Sequence, residues 1–481
     1  MKKNFIYNVV YQLLILVLPL ITVPYVSRIL GADGIGIYSY TYSIAYYFMI
    51  VAMLGINNYG NRTIAKVRED KELLSKEFSS IFTFQLIMAI IMVLFYFLYV
   101  LIFDNQYKII SYIQIMYVIS SAFDINWFFF GIEKFKLTIT RNTIIKVLSL
   151  ILIFLFVKNS NDLWKYVAIL SGSTLLSNII LFSFLKKYVR FVKVKKEEIF
   201  KHFKPCVMLF LPVIAVSIYK IMDKIMLGAL SNVSEVGYYE NAEKITQVPV
   251  AIITALGTVM LPRVSNMVSK NQEDSIKKLI GKTMPFVLFL TFPMIFGVLA
   301  ISKDFSIVFL GEGFEKSGDL IRLLSITILF LSWGTVIRNQ YLIPKSRDKE
   351  YIISAFMGAI VNFVMNCIFI PKYGSIGACI GTIMAEFIVA FYQSWVVRKE
   401  LPILSYIKDS MSFLLKGIVM FIFVLLVGKV FEEDIVLKIF LQVLTGIIVY
   451  AVLNIKYIFN DLEVGKIFKG KVDFSWSKYI L

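Results

Sequence analysis

The residues of this chain that could do chemistry are ionisable side chains set inside long apolar segments. Lys220 and Lys224 stand four residues apart and would share one helix face, while Asp223 lies within pairing range of Lys220. A charge at the centre of a membrane-spanning helix costs about 2.5–3.5 kcal/mol on insertion scales, so it needs a partner, a cavity or a function. The residues of this kind are Lys146, Lys220, Lys224, Lys244, Arg322, Arg338, Lys416, Asp124, Asp223, Glu240, Glu243 and Glu386.

Basic residues outnumber acidic ones in this set, which predicts a cavity with a positive field. Such a field suits an anionic substrate, for example a pyrophosphate headgroup. Arginine would bind phosphate oxygens in a bidentate manner, whereas lysine would act as a point charge. We predict that the substrate is bound by Arg28, Lys220, Lys224, Lys244, Arg338 and Arg62. We predict that a coupling ion is carried by Asp223, Glu240, Asp124 and Glu386.

Each of these residues also has a purely structural interpretation. A charged side chain within a turn or two of a helix end can reach the membrane interface, which would account for Arg28, Glu240 and Arg338. Asp124 and Glu386 could equally well form hydrogen bonds between helices. The sequence contains no phosphate-binding glycine loop, metal-ligand spacing or nucleophile motif. We therefore expect no catalytic residue, metal or cofactor, predict that the chain is not an enzyme, and expect a proton or sodium gradient as its energy source.

The elements that must position these side chains are membrane-spanning helices. The chain has 481 residues, of which 58% are hydrophobic and 17% are charged, and its mean hydropathy is +0.77. Apolar runs long enough to cross a bilayer recur from one end to the other, which predicts an all-α integral membrane protein. About fourteen transmembrane helices are predicted, near 5–27, 34–56, 79–102, 108–131, 138–157, 162–185, 205–229, 236–262, 281–303, 318–343, 351–370, 373–397, 410–430 and 435–457.

The positions of the basic residues indicate how these helices are oriented. Most of the 50 Lys and Arg residues fall in alternate loops and at the two ends of the chain. By the positive-inside rule, both termini are cytoplasmic, and the chain is predicted to be a multi-pass protein of the cell membrane. This pattern accounts for the net charge of +18 without nucleic-acid binding. No predicted outer loop is long enough to hold a catalytic domain.

An internal repeat predicts the domain organisation. Arg28-Ile-Leu-Gly31 is matched by Lys224-Ile-Met-Leu-Gly228, and Gly36-Ile-Tyr38 is matched by Gly237-Tyr-Tyr239. With an even number of helices in each half, the two halves have the same orientation and can enclose a central cavity. The predicted domains are an N-lobe of six helices over 1–190, a C-lobe of six over 191–400, and two appended helices with a cytoplasmic tail over 401–481.

Tyrosines and prolines form two further patterns in the predicted helices. Tyr38, Tyr42 and Tyr46 recur at helical spacing, which fits stacking on sugar rings or, more commonly, packing and interface anchoring. Prolines are predicted to interrupt the first, seventh and eighth helices, either as hinges or as plain structural kinks. These prolines are Pro19, Pro24, Pro212 and Pro249.

Several motifs, taken in order along the chain, resemble one transporter family. They are Pro24-Tyr-Val-Ser-Arg28-Ile-Leu-Gly31, Tyr59-Gly60-Asn61-Arg62, Asp124-Ile-Asn-Trp127, Asp223-Lys224-Ile-Met-Leu-Gly228, Val236-Gly237-Tyr238-Tyr239, Leu261-Pro262-Arg263, and Asn362, Asn366 and Glu386. The set resembles Wzx-type polysaccharide flippases of the multidrug/oligosaccharidyl-lipid/polysaccharide exporter superfamily.

The resemblance implies two six-helix bundles in a V-shaped arrangement that work by alternating access. It implies that undecaprenyl-pyrophosphate-linked oligosaccharide repeat units are moved from the cytoplasmic to the outer leaflet, for capsule, O-antigen or exopolysaccharide synthesis. It further implies antiport with protons or sodium, and a glycan polymerase and a chain-length regulator as partner proteins.

Three other functions stay open at this point. A multidrug or cation antiporter of the same superfamily should have an acidic or aromatic cavity rather than a basic one. A flippase for a peptidoglycan lipid precursor is a close relative that the motifs do not separate. A membrane scaffold or glycan polymerase would fail to move lipid in vesicles that contain only this protein.

Overall fold

A computed structural model describes the backbone of residues 2–104, 106–431 and 433–460, with side chains from residue 18 onward except 256, 258, 259 and 460. Within these ranges the chain forms eighteen α-helices and no β-strand. The helices are α1 (Lys2–Met53), α2 (Ile56–Val67), α3 (Lys71–Ile102), α4 (Lys108–Ala122), α5 (Asn126–Gly131), α6 (Phe135–Phe156), α7 (Leu163–Ser183), α8 (Lys196–Phe200), α9 (Phe203–Leu230), α10 (Val233–Ser269), α11 (Glu273–Leu310), α12 (Glu315–Leu324), α13 (Thr327–Ile337), α14 (Asp348–Tyr373), α15 (Ser375–Val397), α16 (Ile403–Val430), α17 (Ile435–Leu453) and α18 (Ile455–Asn460).

Thirteen helical stretches in the described ranges are long and apolar enough to cross a membrane. The first, Leu18–Val67, has 50 residues, which at 1.5 Å per residue is about 75 Å, more than twice the hydrocarbon thickness of a bilayer. Its backbone leaves the helical conformation at Gly31, where φ is 65° and ψ is −178°. Glycine adopts this positive φ without steric cost. The stretch thus holds two crossings, and the predicted all-α membrane fold of about fourteen helices is confirmed.

The helices do not end at the predicted prolines, and the role of the prolines as hinges stays a prediction. Pro19 and Pro24 lie inside α1, Pro212 lies inside α9, and Pro249 lies inside α10. A proline removes one backbone hydrogen bond, but the remaining backbone groups of a membrane helix find no water to replace their partners. The helix therefore continues through the proline, and α1 is broken at Gly31 instead.

Two helices predicted as continuous are instead interrupted. The segment predicted over 108–131 forms α4 and α5, separated by residues 123–125. The break frees backbone carbonyls, and Gln85 Nε2 binds two of them, Ser121 O at 2.7 Å and Asp124 O at 3.0 Å. Likewise, the segment predicted over 318–343 forms α12, α13 and a π-helical turn, Arg338–Leu342. A hydropathy pattern does not report such breaks, because apolar residues continue through them.

Several helices are longer than their apolar windows. The third predicted helix starts near 79, whereas α3 begins at Lys71, and the Asp70 carboxylate caps it by accepting from Glu72 N and Leu73 N, both at 3.0 Å. A cap of this kind satisfies amides that have no partner in the first turn. Hydropathy marks the part of a helix at bilayer depth, while capping decides where the helix begins.

Two compact units divide the chain, Met1–Glu240 and Asn241–Leu481. The first has a core that includes Phe78, Trp127 and Phe128, all fully buried. The second has its own core, which includes Met284 and Ile328. The lobe boundaries predicted at 190/191 and 400/401 come from the repeat, not from contacts, and stay a prediction.

Candidate functional site

In the first unit, α1 and α10 approach closely at two glycines that are equivalent in the internal repeat. A Cβ atom at Gly36 would overlap the carbonyl oxygen of Val233, and one at Gly237 would overlap the carbonyl oxygen of Ala32. The contacts are reciprocal, because each glycine meets the residue four positions before the other glycine. Only hydrogen fits at these two positions, so the glycines allow the helices to touch through their backbones.

Two hydrogen bonds flank this glycine contact. The Ser234 hydroxyl donates to Asp33, and Ser39 Oγ donates to Glu240 Oε2 at 2.9 Å. The residues of each pair are 201 positions apart, which is the interval between the two glycines. Each residue therefore contacts its own equivalent in the repeat, as expected of helices that cross about a local twofold axis.

Glu240 also joins this helix crossing to α9. Lys224 Nζ lies 2.6 Å from Glu240 Oε2, and the two side chains are only 11% and 9% exposed. The carboxylate thus receives an ammonium group and the Ser39 hydroxyl together. Removing one partner of a buried ion pair would leave the other charge without compensation in a medium of low dielectric constant.

Asp223 and Lys220 do not form the predicted pair. Asp223 is buried, and its Oδ2 accepts a hydrogen bond of 2.8 Å from the hydroxyl of Tyr239. Lys220 is exposed and makes no ion pair within the ranges that the structure describes. Spacing along α9 suggested the intrahelical pair, but the start of α10 provides partners for Asp223 and Lys224 instead.

The tyrosines of α1 pack inside the first unit. Tyr38 and Tyr42 are stacked with ring centroids 5.7 Å apart. Tyr42 meets Tyr117 of α4 at 5.0 Å, and Tyr38 meets Tyr166 of α7 at 5.1 Å, both edge to face. These contacts support the packing interpretation for Tyr38 and Tyr42.

Asp124 lies in the break between α4 and α5, where an amide side chain links it to a cation. Its Oδ1 accepts hydrogen bonds from Asn126 N at 3.1 Å and from Asn126 Nδ2 at 2.6 Å. Asn126 Oδ1 in turn accepts a hydrogen bond of 2.9 Å from Arg141 Nη2. This chain of contacts fixes Asp124 by local hydrogen bonds and favours its structural interpretation.

Sequence reasoning missed Arg141. The residue is 6% exposed and donates from Nη1 to Ser177 O at 2.8 Å and from Nη2 to Asn142 Oδ1 at 2.6 Å. Its place inside the helix predicted over 138–157 is a signal that identifies it as an arginine within the membrane. Because Arg141 stands near the start of that helix, the positive-inside pattern groups it with the basic residues of the preceding loop.

In the second unit, Arg338 differs from Lys224 in its partners. It begins the π-helical turn and donates to Thr335 Oγ1 at 3.3 Å and to Asn339 Oδ1 at 3.2 Å. Its guanidinium carbon lies 5.8 Å from the ring centroid of Tyr351. Arg338 has no acidic partner in the described part of the chain. π-Helical turns often mark functional sites, and a half-buried arginine with neutral partners is suited to bind an anion.

At the cytoplasmic side predicted for the second unit, a carboxylate is held by a tyrosine and an arginine. Glu400 accepts a hydrogen bond from the Tyr341 hydroxyl, and its Oε1 lies 3.0 Å from Arg347 Nη1. Burial opposes ionisation of Glu400, but the Tyr341 hydrogen bond and the Arg347 charge outweigh it and lower the pKa of this carboxyl. The cluster ties the end of the π-helical turn to the end of α15.

Sequence comparison identifies the family of this chain. The family model described as polysaccharide biosynthesis protein matches residues 1–268. The chain belongs to this family. The O-antigen transporter of Shigella dysenteriae is 22% identical over 402 residues, which are 83% of this chain and 100% of that protein. The low-salt glycan biosynthesis flippase Agl15 of Haloferax volcanii is 24% identical over 243 residues, half of each chain.

Solved structures of transporters share the fold of this polysaccharide biosynthesis protein. The lipid II flippase MurJ in an inward closed conformation has a TM-score of 0.74 at 19% identity, covering 95% of this chain and 99% of MurJ. A multidrug resistance MATE family transporter in an inward-facing conformation has a TM-score of 0.57 at 14% identity, covering 82% and 99%. The resemblance that the motifs predicted is confirmed, and the chain is a multi-pass membrane protein.

The predicted site residues of this family member are brought together only in part. Arg28 and Arg62 are exposed on α1 and α2, whereas Lys244 is half-buried in α10. Glu386 is 7% exposed within α15. The structure gathers one predicted cluster, which consists of Asp223, Lys224 and Glu240, and places Asp124 in a separate network.

Proposed function

We propose that this protein is a flippase that carries lipid-linked oligosaccharides across the membrane by alternating access. The observation that carries the proposal is the match to an O-antigen transporter over the whole length of that protein. Membership of the polysaccharide biosynthesis family supports it, as does the apolar, all-helical chain. Such a carrier breaks and forms no covalent bond in its cargo.

The cargo we propose is an oligosaccharide repeat unit on undecaprenyl pyrophosphate, moved from the cytoplasmic to the outer leaflet of the cell membrane. Arg338 supports an anionic headgroup, because its fork of donors has only neutral partners and can bind phosphate oxygens in a bidentate manner. Lys224 would add a point charge. Both termini would be cytoplasmic, and a glycan polymerase and chain-length regulator would act on the delivered repeat units.

The Lys224–Glu240 pair supports a definite role for Glu240 in the transport cycle. The Glu240 carboxylate lies 2.6 Å from Lys224 Nζ, so each buried charge has a partner. A substrate phosphate that binds Lys224 displaces this carboxylate, and a proton or sodium ion then neutralises Glu240. Ion and substrate therefore favour each other at this site. An antiported ion must compete with substrate, so that role falls to Asp223, Asp124 or Glu386.

The proposal is tested by deleting the gene and analysing membrane lipids by mass spectrometry with leaflet labelling. We expect a complete lipid-linked repeat unit to accumulate in the cytoplasmic leaflet while surface glycan is lost. An accumulated peptidoglycan precursor would assign the other flippase function. Raised sensitivity to cationic drugs without any accumulated lipid would overturn the proposal in favour of a multidrug antiporter.

A second test uses vesicles that contain only the purified protein and a fluorescent polyprenyl-pyrophosphate glycan. We expect fluorescent lipid of the inner leaflet to become accessible to a membrane-impermeant quencher faster than in protein-free vesicles. Equal rates in both would favour a scaffold or polymerase, because those proteins need their partners and do not move lipid.

A further inference from the structure

A cavity of about 680 Å³ lies in the first unit, where α5 ends, α6 begins and α7 ends. Three basic side chains are among its lining residues, namely Lys134, Lys136 and Arg141. Apolar side chains form the rest of its wall, among them Leu137, Ile144 and Ile180. A pocket lined by cationic and apolar side chains matches a ligand that has an anionic head and a hydrocarbon chain.

The acidic residue in the lining has a cationic partner outside the lining. Glu133 is that residue, and its Oε1 lies 2.5 Å from Arg68 Nη1, so the charge of Glu133 is balanced by a residue outside the lining. Lys134 and Lys136 are exposed, whereas Arg141 is 6% exposed. An anion in the cavity would meet three cationic side chains at different depths.

The outer surface of α6 continues from this cavity as a hydrophobic stripe. Ile144 is 60% exposed and lines the cavity, and Leu148, Ile151 and Leu155 follow it at helical spacing with exposures of 42%, 48% and 59%. Residues at this spacing share one helix face. An apolar face of a membrane-spanning helix that is uncovered by protein contacts lipid, so the cavity opens onto the hydrocarbon of the bilayer.

We propose that this cavity binds an anionic phospholipid of the surrounding membrane, with its phosphate between Lys134, Lys136 and Arg141 and one acyl chain along the stripe of α6. Basic pockets between helices on the cytoplasmic side of membrane proteins bind anionic headgroups, and the basic loops predict that side for Lys134 and Lys136. The occupant is a bulk lipid rather than cargo, because the cavity opens outward at α6 and is built from other residues than the Lys224 cluster. This site is independent of the proposed transport function.

The test measures binding of phosphatidylglycerol and phosphatidylcholine to the full-length purified protein by native mass spectrometry. We expect phosphatidylglycerol to bind more tightly, and K134Q/K136Q to weaken its binding about thirtyfold, from the typical contribution of two lysines at an anionic headgroup. Thr140 also lines the cavity, and T140W fills the space without changing charge, so it should displace both the headgroup and the upper acyl chain.

The matched control is K399Q/K408Q, which removes two exposed lysines in the second unit on the same predicted side of the membrane. We expect this control to bind phosphatidylglycerol as the unmodified protein does. Equal binding of the two lipids, or equal losses in the two double variants, would overturn the proposal. Displacement of phosphatidylglycerol by a lipid-linked glycan at equimolar concentration would also overturn it, since the cavity would then be a cargo site.

Discussion

Lys224 and Arg338 are cations of membrane-spanning helices in different units, and they are held in opposite ways. Lys224 lies 2.6 Å from the Glu240 carboxylate, so its charge is matched inside the protein. Arg338 donates to a threonine hydroxyl and an asparagine carbonyl in its own turn and faces a tyrosine ring. The charge of Lys224 is therefore balanced by an acidic side chain, whereas Arg338 is positioned by neutral groups.

If the protein carries an anionic cargo as proposed, the two residues would serve it at different stages. Arg338 is available to phosphate oxygens whenever the cargo reaches it, and its fork of donors gives directional binding. Lys224 becomes available only when cargo or a cation takes over Glu240. Substitution of Arg338 should therefore affect binding of the cargo. Substitution of Lys224 or Glu240 should instead affect the step at which Lys224 becomes available.

The largest effect is expected from R338A. This substitution removes charge-assisted hydrogen bonds to the headgroup, and such bonds account for about 10- to 150-fold each in affinity. We expect transport of the lipid-linked glycan in vesicles to fall about a hundredfold at every pH, with unchanged protein yield. The control is R322A in α12, which should retain transport; equal losses in both variants would contradict a headgroup role for Arg338.

The next effect is expected from K224A, because it leaves Glu240 buried without its ionic partner. Breaking a buried pair costs about 3–5 kcal/mol, so we expect a lower unfolding temperature as well as strongly reduced transport. The double variant K224A/E240A should regain most of the thermal stability and none of the transport. If the double variant transported normally, Lys224 would be a structural residue only.

A smaller and different effect is expected from E240Q. The amide no longer attracts Lys224 as a charge, so this variant should resemble the state in which Glu240 is neutralised. We expect a lower KM for the lipid-linked glycan, a reduced kcat, and a KM that no longer depends on pH or sodium. A pH dependence of KM identical to that of the unmodified protein would show that Glu240 is not the acid that substrate binding leaves to be neutralised.

The smallest effect is expected from S39A, which removes the hydrogen bond of 2.9 Å to Glu240. A net loss of about 1.5–3 kcal/mol in stability is typical for one hydrogen bond to a charged group. Transport should persist, with a modest change in its pH dependence, because the ion pair remains. The matched control is S43A, because the Ser43 hydroxyl donates to the backbone oxygen of Ser39 within the same helix. A transport defect of S39A as severe as that of K224A would show that the Ser39 hydroxyl, rather than the ion pair, holds Glu240.

The class of fold and the approximate number of crossings could be predicted from the amino-acid sequence. A backbone in lipid must satisfy its hydrogen bonds within each segment, so a run of apolar residues that spans the bilayer becomes a helix whatever surrounds it. The repeat was also visible, since Gly36 and Gly237 stand in matching motifs. Both results depend on local properties of the chain, which spacing and composition report directly.

Which charged residues contact each other could not be predicted from the sequence, because their partners come from other helices. The spacing along α9 favoured a pair between Lys220 and Asp223. In the structure the ion pair is instead between Lys224 and Glu240, because glycines bring α1 and α10 into contact beside α9. The breaks that hold Asp124 and the turn that holds Arg338 lie inside uniformly apolar segments. Partner choice depends on distances between residues far apart in the chain, and these distances are fixed by packing, which a one-dimensional pattern does not contain.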